Sequence, residues 1–280
     1  MPLKNKAPRM GLVLAGGGAK GAYQAGVFQA MAELDLSGGV EAVSGCSIGA
    51  MNALLFAAGD PDRWRRAWEE SGFGGADAPD PRRLAELEAK AAAAGGMEEY
   101  LRAGSLLTLE GTEETLRRWA DPAVLSAGRP RVSVCAYQLE AEEPRYFWLE
   151  GRPFPEAVKL TAASTAMPVV FPTVEFAGKH YCDGGMTPPY SDKKNGDKAP
   201  LAPLAGLGLD VILVIYLSPG DRVDRGLLPP GTRLLELYPS QPLESSPGSG
   251  TLDFSPAALR RRRALGLEDG RRFLTHVFTS

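Results

Sequence analysis

Apolar positions along the chain fall into short runs and helical stripes that alternate. Met10–Ala15 is an apolar run of strand length that leads into three glycines. Across Ala19–Leu34, Ala22, Ala25, Phe28 and Ala32 recur at helical spacing. Glu41–Ser44 reads as a second strand and Ile48–Ala58 as an apolar helix behind it. Strand, turn, helix, repeated, is the grammar of a parallel sheet with both faces covered, so the pattern predicts an α/β protein. Helical stretches follow at Asp62–Glu70, Pro81–Ala94 and Thr112–Trp119, with a loop over Gly72–Pro81. Arg131–Leu139 and Arg145–Leu149 alternate and predict a hairpin turning around Ala141–Pro144. Phe154–Thr165 reads as a helix, and Val174–Tyr181 as a hairpin turning at Gly178. The fully apolar Val211–Leu217 predicts a central strand, Thr232–Tyr238 a further strand. Ser255–Arg263 and Glu268–His276 predict two closing helices. Met186–Gly208 and Gln241–Gly250 have no period and are rich in turn residues, so both read as surface loops open to disorder.

Composition narrows the class. Apolar residues make up 44% and charged residues 23%, the balance of a globular chain. With 31 Lys and Arg against 34 Asp and Glu, the net charge of −3 argues against a nucleic-acid partner. The longest apolar run is far short of the ~20 residues that span a bilayer. Lys4, Lys6 and Arg9 precede an apolar stretch, but its length before the glycines falls below a secretory core, so a buried strand is expected there. Cys46, Cys135 and Cys182 form neither a disulfide framework nor a metal spacing and read as buried thiols in a reducing, cytoplasmic compartment.

Three motifs carry candidate chemistry. Gly45-Cys46-Ser47-Ile48-Gly49 lies between a predicted strand and a predicted helix, the setting of a nucleophile elbow. There a sharp turn projects Ser47, and the helix N-terminus supplies partial positive charge beside it. Gly16-Gly17-Gly18-Ala19-Lys20-Gly21 admits two readings. One is a dinucleotide loop of an oxidoreductase, with Glu41 about 20 residues on as the ribose acid. The other is an oxyanion hole of bare glycine amides, with Lys20 either holding an anion or solvated. The base has two candidate sources. His276, or less readily His180, would complete a Ser-His-Asp arrangement of the α/β-hydrolase kind, although too few residues precede Ser47 for that fold. Alternatively Asp183, in Asp183-Gly184-Gly185, would take the proton directly if its carboxyl were desolvated.

Taken together, the glycine loop at Gly16–Gly21, the elbow at Gly45–Gly49 and the acid at Asp183–Gly185 resemble the patatin-like phospholipase family. The likeness extends through Ala162–Pro172 and Leu252–Pro256, covering about Met10 to Phe273. The resemblance implies a three-layer α/β/α fold with a mostly parallel central sheet, as one domain over 8–278 after a short tail at 1–7. It implies a Ser-Asp dyad without histidine: Ser47 as nucleophile, Asp183 as proton acceptor, and Gly16, Gly17 and Gly18 as oxyanion donors. Lys20, Gly21, Gly45, Gly49, Gly184 and Gly185 would support that geometry. It further implies a lipid or other acyl ester as substrate, peripheral contact with a membrane, and neither metal nor organic cofactor. Lys20 departs from the arginine common in the family, and Met186-Thr187-Pro188-Pro189 departs from its usual turn after the acid. Arg260–Arg263 reads as a solvated helix face or a headgroup contact, and Leu106, Leu107 and Leu109 as packing or channel-rim residues.

Overall fold

A computed structural model describes residues 8–70, 80–126, 130–244 and 250–278. The expected tail at 1–7, most of the loop expected over 72–81, and part of that over 241–250 lie outside the described residues. β1 (Met10–Leu14) passes through a 3-10 turn at Gly18–Gly21 into α1 (Ala22–Glu33). β2 (Val40–Cys46) feeds α2 (Ile48–Ala57) with one residue between them. Four helices follow: α3 (Pro61–Glu70), α4 (Pro81–Ala92), α5 (Met97–Ala103) and α6 (Glu110–Trp119). Next come the hairpin β3 (Arg131–Gln138) and β4 (Glu143–Trp148), then α7 (Phe154–Thr165). The short hairpin β5 (Val174–Phe176) and β6 (Lys179–Asp183) precedes β7 (Val211–Ile215), β8 (Arg233–Leu237) and α8 (Pro256–Phe278).

The strands form one mixed sheet in the order β5-β6-β3-β2-β1-β7-β8, with β4 added on β3. β8, β7, β1, β2 and β3 run parallel, while β4 and β6 pair antiparallel with β3, and β5 with β6. Alternation along β1 sends Leu12 and Leu14 to one face and Val13 and Ala15 to the other. The first face is covered by α1, α2, α7 and α8. On the second, α4 and α5 pack over Tyr137, Leu139 and Cys182, and Ala199, Leu201, Leu204 and Leu209 cover the strands beside them.

Three expectations about these elements need correcting, and one helix is added. β7 lies one place in from the edge rather than at the centre. Its unbroken apolar run reports covered faces, which any interior strand shares. The segment over 186–208 is a surface loop only in part: residues 192–195 are exposed, but Ala199, Leu201 and Leu204 are buried without a regular period. α5 is the added helix; it carries little sequence signal because it is short and follows two glycines. The two closing helices are one, because Gly266 and Gly270 face a neighbour and do not break it.

That neighbour is α1. A Cβ on Gly266 would lie 2.0 Å from the Tyr23 carbonyl oxygen, and one on Gly26 would lie 2.0 Å from that of Arg263. The helix backbones therefore touch. Asp269, 1% exposed, accepts hydrogen bonds from the Tyr23 hydroxyl (3.1 Å) and the Ser240 N–H (2.9 Å) and pairs with Arg272 (2.6 Å). Nor is Arg260–Arg263 a uniformly solvated face: Arg262 is buried and donates to the carbonyls of Leu243 and Asp253, while Arg263 pairs with Glu69. All three cysteines are buried and free. Among the described residues no helix is long and apolar enough to cross a membrane.

Replacing a helical glycine by alanine at an open site stabilises by about 1 kcal/mol. At Gly266 the collision with a backbone oxygen outweighs this, at about 1–3 kcal/mol or more for overpacking. Gly266→Ala is therefore expected to lower Tm by several degrees, measured by thermal circular dichroism; a Tm equal to or above the parent would contradict the α1–α8 contact.

Candidate active site

The end-on meeting of two strands builds this site. β4 lines one edge of β3 over residues 133–138. β2 pairs with residues 131–135, ending at Cys46 opposite Cys135. β6 pairs with residues 136–138, ending at Asp183 opposite Ala136. With one edge taken, β2 and β6 share the other end to end. Their termini abut, and the side chains there, Ser47 and Asp183, are brought together.

Ser47 is the single residue between β2 and α2, with φ 56° and ψ −127°. A left-handed backbone costs a non-glycine residue about 1–3 kcal/mol. Neighbours hold it there: the Ser47 N–H donates to Ser164 Oγ (2.9 Å), and the Ser164 hydroxyl donates to the Cys135 carbonyl (2.6 Å). Crowding explains the small residues on either side. A Cβ on Gly45 would lie 2.2 Å from the Gly49 oxygen, and one on Gly49 would lie 2.1 Å from that of Leu14. α2 starts immediately after Ser47, so its partial positive charge falls beside the hydroxyl.

Asp183 is 4% exposed. Its Oδ1 accepts the Gly185 N–H at 2.9 Å, with the Cys46 thiol 3.8 Å away. Burial pushes its pKa above the ordinary carboxylate value, and hydrogen bonding from Ser47, then from Gly185 and Cys46, pulls partly back. Gly184 passes against the Cys135 carbonyl, and Gly185 lies beneath the stem of Lys198.

The glycine loop closes the third side. A Cβ on Gly16 would lie 3.1 Å from Ser47 Cβ. The Gly16 N–H, however, donates to the Lys198 carbonyl (2.9 Å), so Gly16 is not a free donor as expected. Among the described residues no acceptor takes the N–H of Gly17 or Gly18. Gly18, at φ 55°, runs close to the Thr251 carbonyl, which accepts the next N–H, that of Ala19, at 2.9 Å. Gly21 packs on Ile48. Lys20 is not solvated: it is buried and donates to Ser218 Oγ at 2.8 Å. Burial lowers its pKa, with Glu244 and Asp221 opposing.

Other candidates lie elsewhere. His180 pairs with Glu140 at 2.9 Å, and His276 is exposed near the end of α8; neither hydrogen-bonds to Ser47 or Asp183. Glu41 sits at the start of β2 and is held by Arg9, at the opposite end of the parallel strands from the glycine loop. Glu41 is therefore not placed to serve as the ribose acid of a dinucleotide at Gly16–Gly21. Leu106 and Leu107 donate to the carbonyls of Val169 and Val170, and Leu109 is buried against α7. Ser164, Lys198, Ser218 and Thr251 were not singled out by the sequence, because each acts through a carbonyl or a lone hydroxyl that carries no local pattern. Among the described residues no cluster of three or more His, Cys, Asp or Glu converges to hold a metal.

A family model described as patatin-like phospholipase matches residues 12–191, a span holding all three motifs. The chain belongs to the patatin-like phospholipase family. Uncharacterized NTE family proteins of Mycobacterium tuberculosis and Mycobacterium bovis are 27% identical to it over 214 residues, covering 76% of this chain and 50% of theirs. This patatin-like chain thus spans half the length of those relatives. Among solved structures, VipD from Legionella pneumophila aligns over 97% of this chain and 67% of its own (15% identity, TM-score 0.48). Human GIVD cytosolic phospholipase A2 aligns over 98% and 60% (15% identity, TM-score 0.43).

Burial of Asp183 sets a stability prediction. An unfolded carboxyl titrates near ~3.9, and the folded one titrates higher. Between those values the native state binds more protons, so stability falls as pH rises through that window and stays lower above it. Asp183→Asn is therefore expected to raise Tm at pH 7, with a smaller gain at pH 3. A lower Tm at pH 7 would mean that the carboxylate is net stabilised in the fold.

Proposed function

We propose that this patatin-like chain is a lipid acyl hydrolase of the phospholipase A or lysophospholipase type, working through a Ser47–Asp183 dyad. The observation that carries the reading is the abutment of β2 and β6 on one edge of β3. It sets a serine at a helix N-terminus in hydrogen-bond contact with a desolvated carboxyl, and the glycine loop meets Ser47 at Gly16, followed by two amides that no acceptor among the described residues takes.

In this reading Asp183 accepts the Ser47 proton as Oγ attacks the ester carbonyl. The N–H groups of Gly17 and Gly18 receive the oxyanion, each donor contributing about 3–4 kcal/mol in comparable sites. Collapse expels the alcohol, which takes the proton back from Asp183 and leaves an acyl-Ser47. Water then gives a proton to Asp183 and attacks the acyl carbon; the fatty acid departs and Ser47 recovers its proton. A carboxyl with a raised pKa suits both halves, since it must accept and return a proton near neutrality. Lys20 supports the glycine loop from below, where its stem lies against Gly17. No metal or organic cofactor enters any step. Glycerophospholipids, lysophospholipids and neutral acyl esters all present the required carbonyl. The reading takes 8–278 as one domain, closed by the packing of α8 on α1, and has it meet lipid at a membrane surface from the cytoplasmic side.

The test is hydrolysis of p-nitrophenyl acyl esters. Ser47→Ala and Asp183→Asn are each expected to lower kcat/KM by about 10³-fold or more, and His276→Ala to leave it unchanged. Loss with His276→Ala and retention with Asp183→Asn would favour a histidine-based esterase. The acid limb of the pH–rate profile is expected above the ordinary carboxylate range, because Asp183 must be ionised to accept the proton and its burial raises the pH at which that happens.

A further inference from the structure

Between the glycine loop and the Asp183 turn runs the segment Asn195–Lys198, which touches both with successive residues. The Asp197 N–H donates to the Gly184 carbonyl at 2.8 Å, and the Lys198 carbonyl accepts the Gly16 N–H at 2.9 Å. Gly196 lies directly on Gly185: a Cβ there would sit 2.8 Å from the Gly185 carbonyl carbon and oxygen. The stem of Lys198 meets Gly185 as well. We infer that this segment is a strap setting the spacing between oxyanion loop and acid, and that Tyr146 and Asp197 are its positioning residues. The inference deepens the proposed acyl-transfer reading and rests on it for its kinetic consequence.

Anchoring from outside the site supports this. The Tyr146 hydroxyl, on β4, donates to Asp197 Oδ2 at 2.8 Å, and Asp197 Oδ1 accepts the Ala199 N–H at 3.2 Å. The Tyr137 hydroxyl, on β3, donates to Asn195 Oδ1 at 3.0 Å, and Asn195 Nδ2 donates to the Glu142 carbonyl at 3.0 Å. Each strand of the β3–β4 hairpin thus supplies one tyrosine to the strap. β3 also sets where β2 and β6 end. One hairpin therefore fixes all three parts of the site: elbow and acid through strand pairing, and glycine loop through the strap. This answers how the loop after the acid is held where Met186-Thr187-Pro188-Pro189 replaces the usual turn. A bond from a phenol to a carboxylate is charge-assisted and stronger than a neutral one. Losing it leaves the Asp197 carboxylate short of a donor and frees the strap to shift, and small misplacements of oxyanion donors are costly.

The experiment uses the full chain with Tyr146→Phe, which removes one hydroxyl from a partly exposed ring. It combines p-nitrophenyl ester kinetics with amide hydrogen exchange. Expected are a kcat about ten-fold lower, as for loss of one hydrogen bond to a charged group, a KM within about two-fold, and a Tm lower by no more than a few degrees, with the chain fully folded at the assay temperature. Exchange at Asp197 and Gly16 is expected to speed up by a similar factor. Asp197→Asn, which keeps an oxygen for the Tyr146 hydroxyl, should retain more activity than Asp197→Ala. Wild-type kcat and wild-type exchange at both amides in Tyr146→Phe would overturn the strap. If the parent chain hydrolyses no ester, the acyl-transfer reading fails, and exchange alone decides the strap: faster at both amides supports it, unchanged overturns it.

Discussion

An interior strand has two edges of hydrogen-bonding groups, and buried backbone groups must find partners. In β3 one edge is filled by β4, and the other is divided between a parallel strand and an antiparallel one. Two chains running toward each other along the same edge must both leave the sheet where they meet. The residues at that exit are Ser47 and Asp183. Much of the local oddity follows from this crowding. The elbow needs a left-handed serine, Gly184 must slide past the Cys135 carbonyl, and Ser164 bridges the Ser47 amide to that same carbonyl.

The arrangement is unfavourable locally. Ser47 carries backbone strain, and Asp183 is held out of water with few donors. Such a site persists because the surroundings overdetermine it. β1, β2 and β7 are buried on both faces, and α1 and α8 are locked backbone to backbone. Behind the glycine loop, Lys20 is itself partly desolvated and held by Ser218 at the end of β7. Destabilising features thus concentrate where the sheet changes direction, and the parallel part of the sheet carries the load.

The parallel half of the fold was legible because its signals are local. The MGLVLA run, the glycine triplet and the apolar helix after Ser47 each fall within a dozen residues. The three motifs were legible for the same reason, as crowding imposes small residues at fixed offsets. What could not be read depends on distant partners. Val211–Ile215 reads as central because burial on two faces looks alike anywhere inside a sheet. Gly266 looks like a helix breaker until Tyr23 is placed against it. Gly16 looks like a free donor until Lys198, far along the chain and in a stretch without periodicity, takes its N–H. Arg262 looks solvated within a run of arginines, yet it is buried against Leu243 and Asp253.

The central claim is that Ser47 is a nucleophile activated by Asp183 with no histidine involved. An alkyl fluorophosphonate tests it most directly, because it forms a stable covalent bond only with an activated hydroxyl. After incubation at pH 7, peptide mass mapping should place a single phosphonyl adduct on Ser47. The adduct should form far more slowly in Asp183→Asn and at the parent rate in a variant lacking both His180 and His276. An adduct on another residue, or labelling of Ser47 undiminished by Asp183→Asn, would contradict the account.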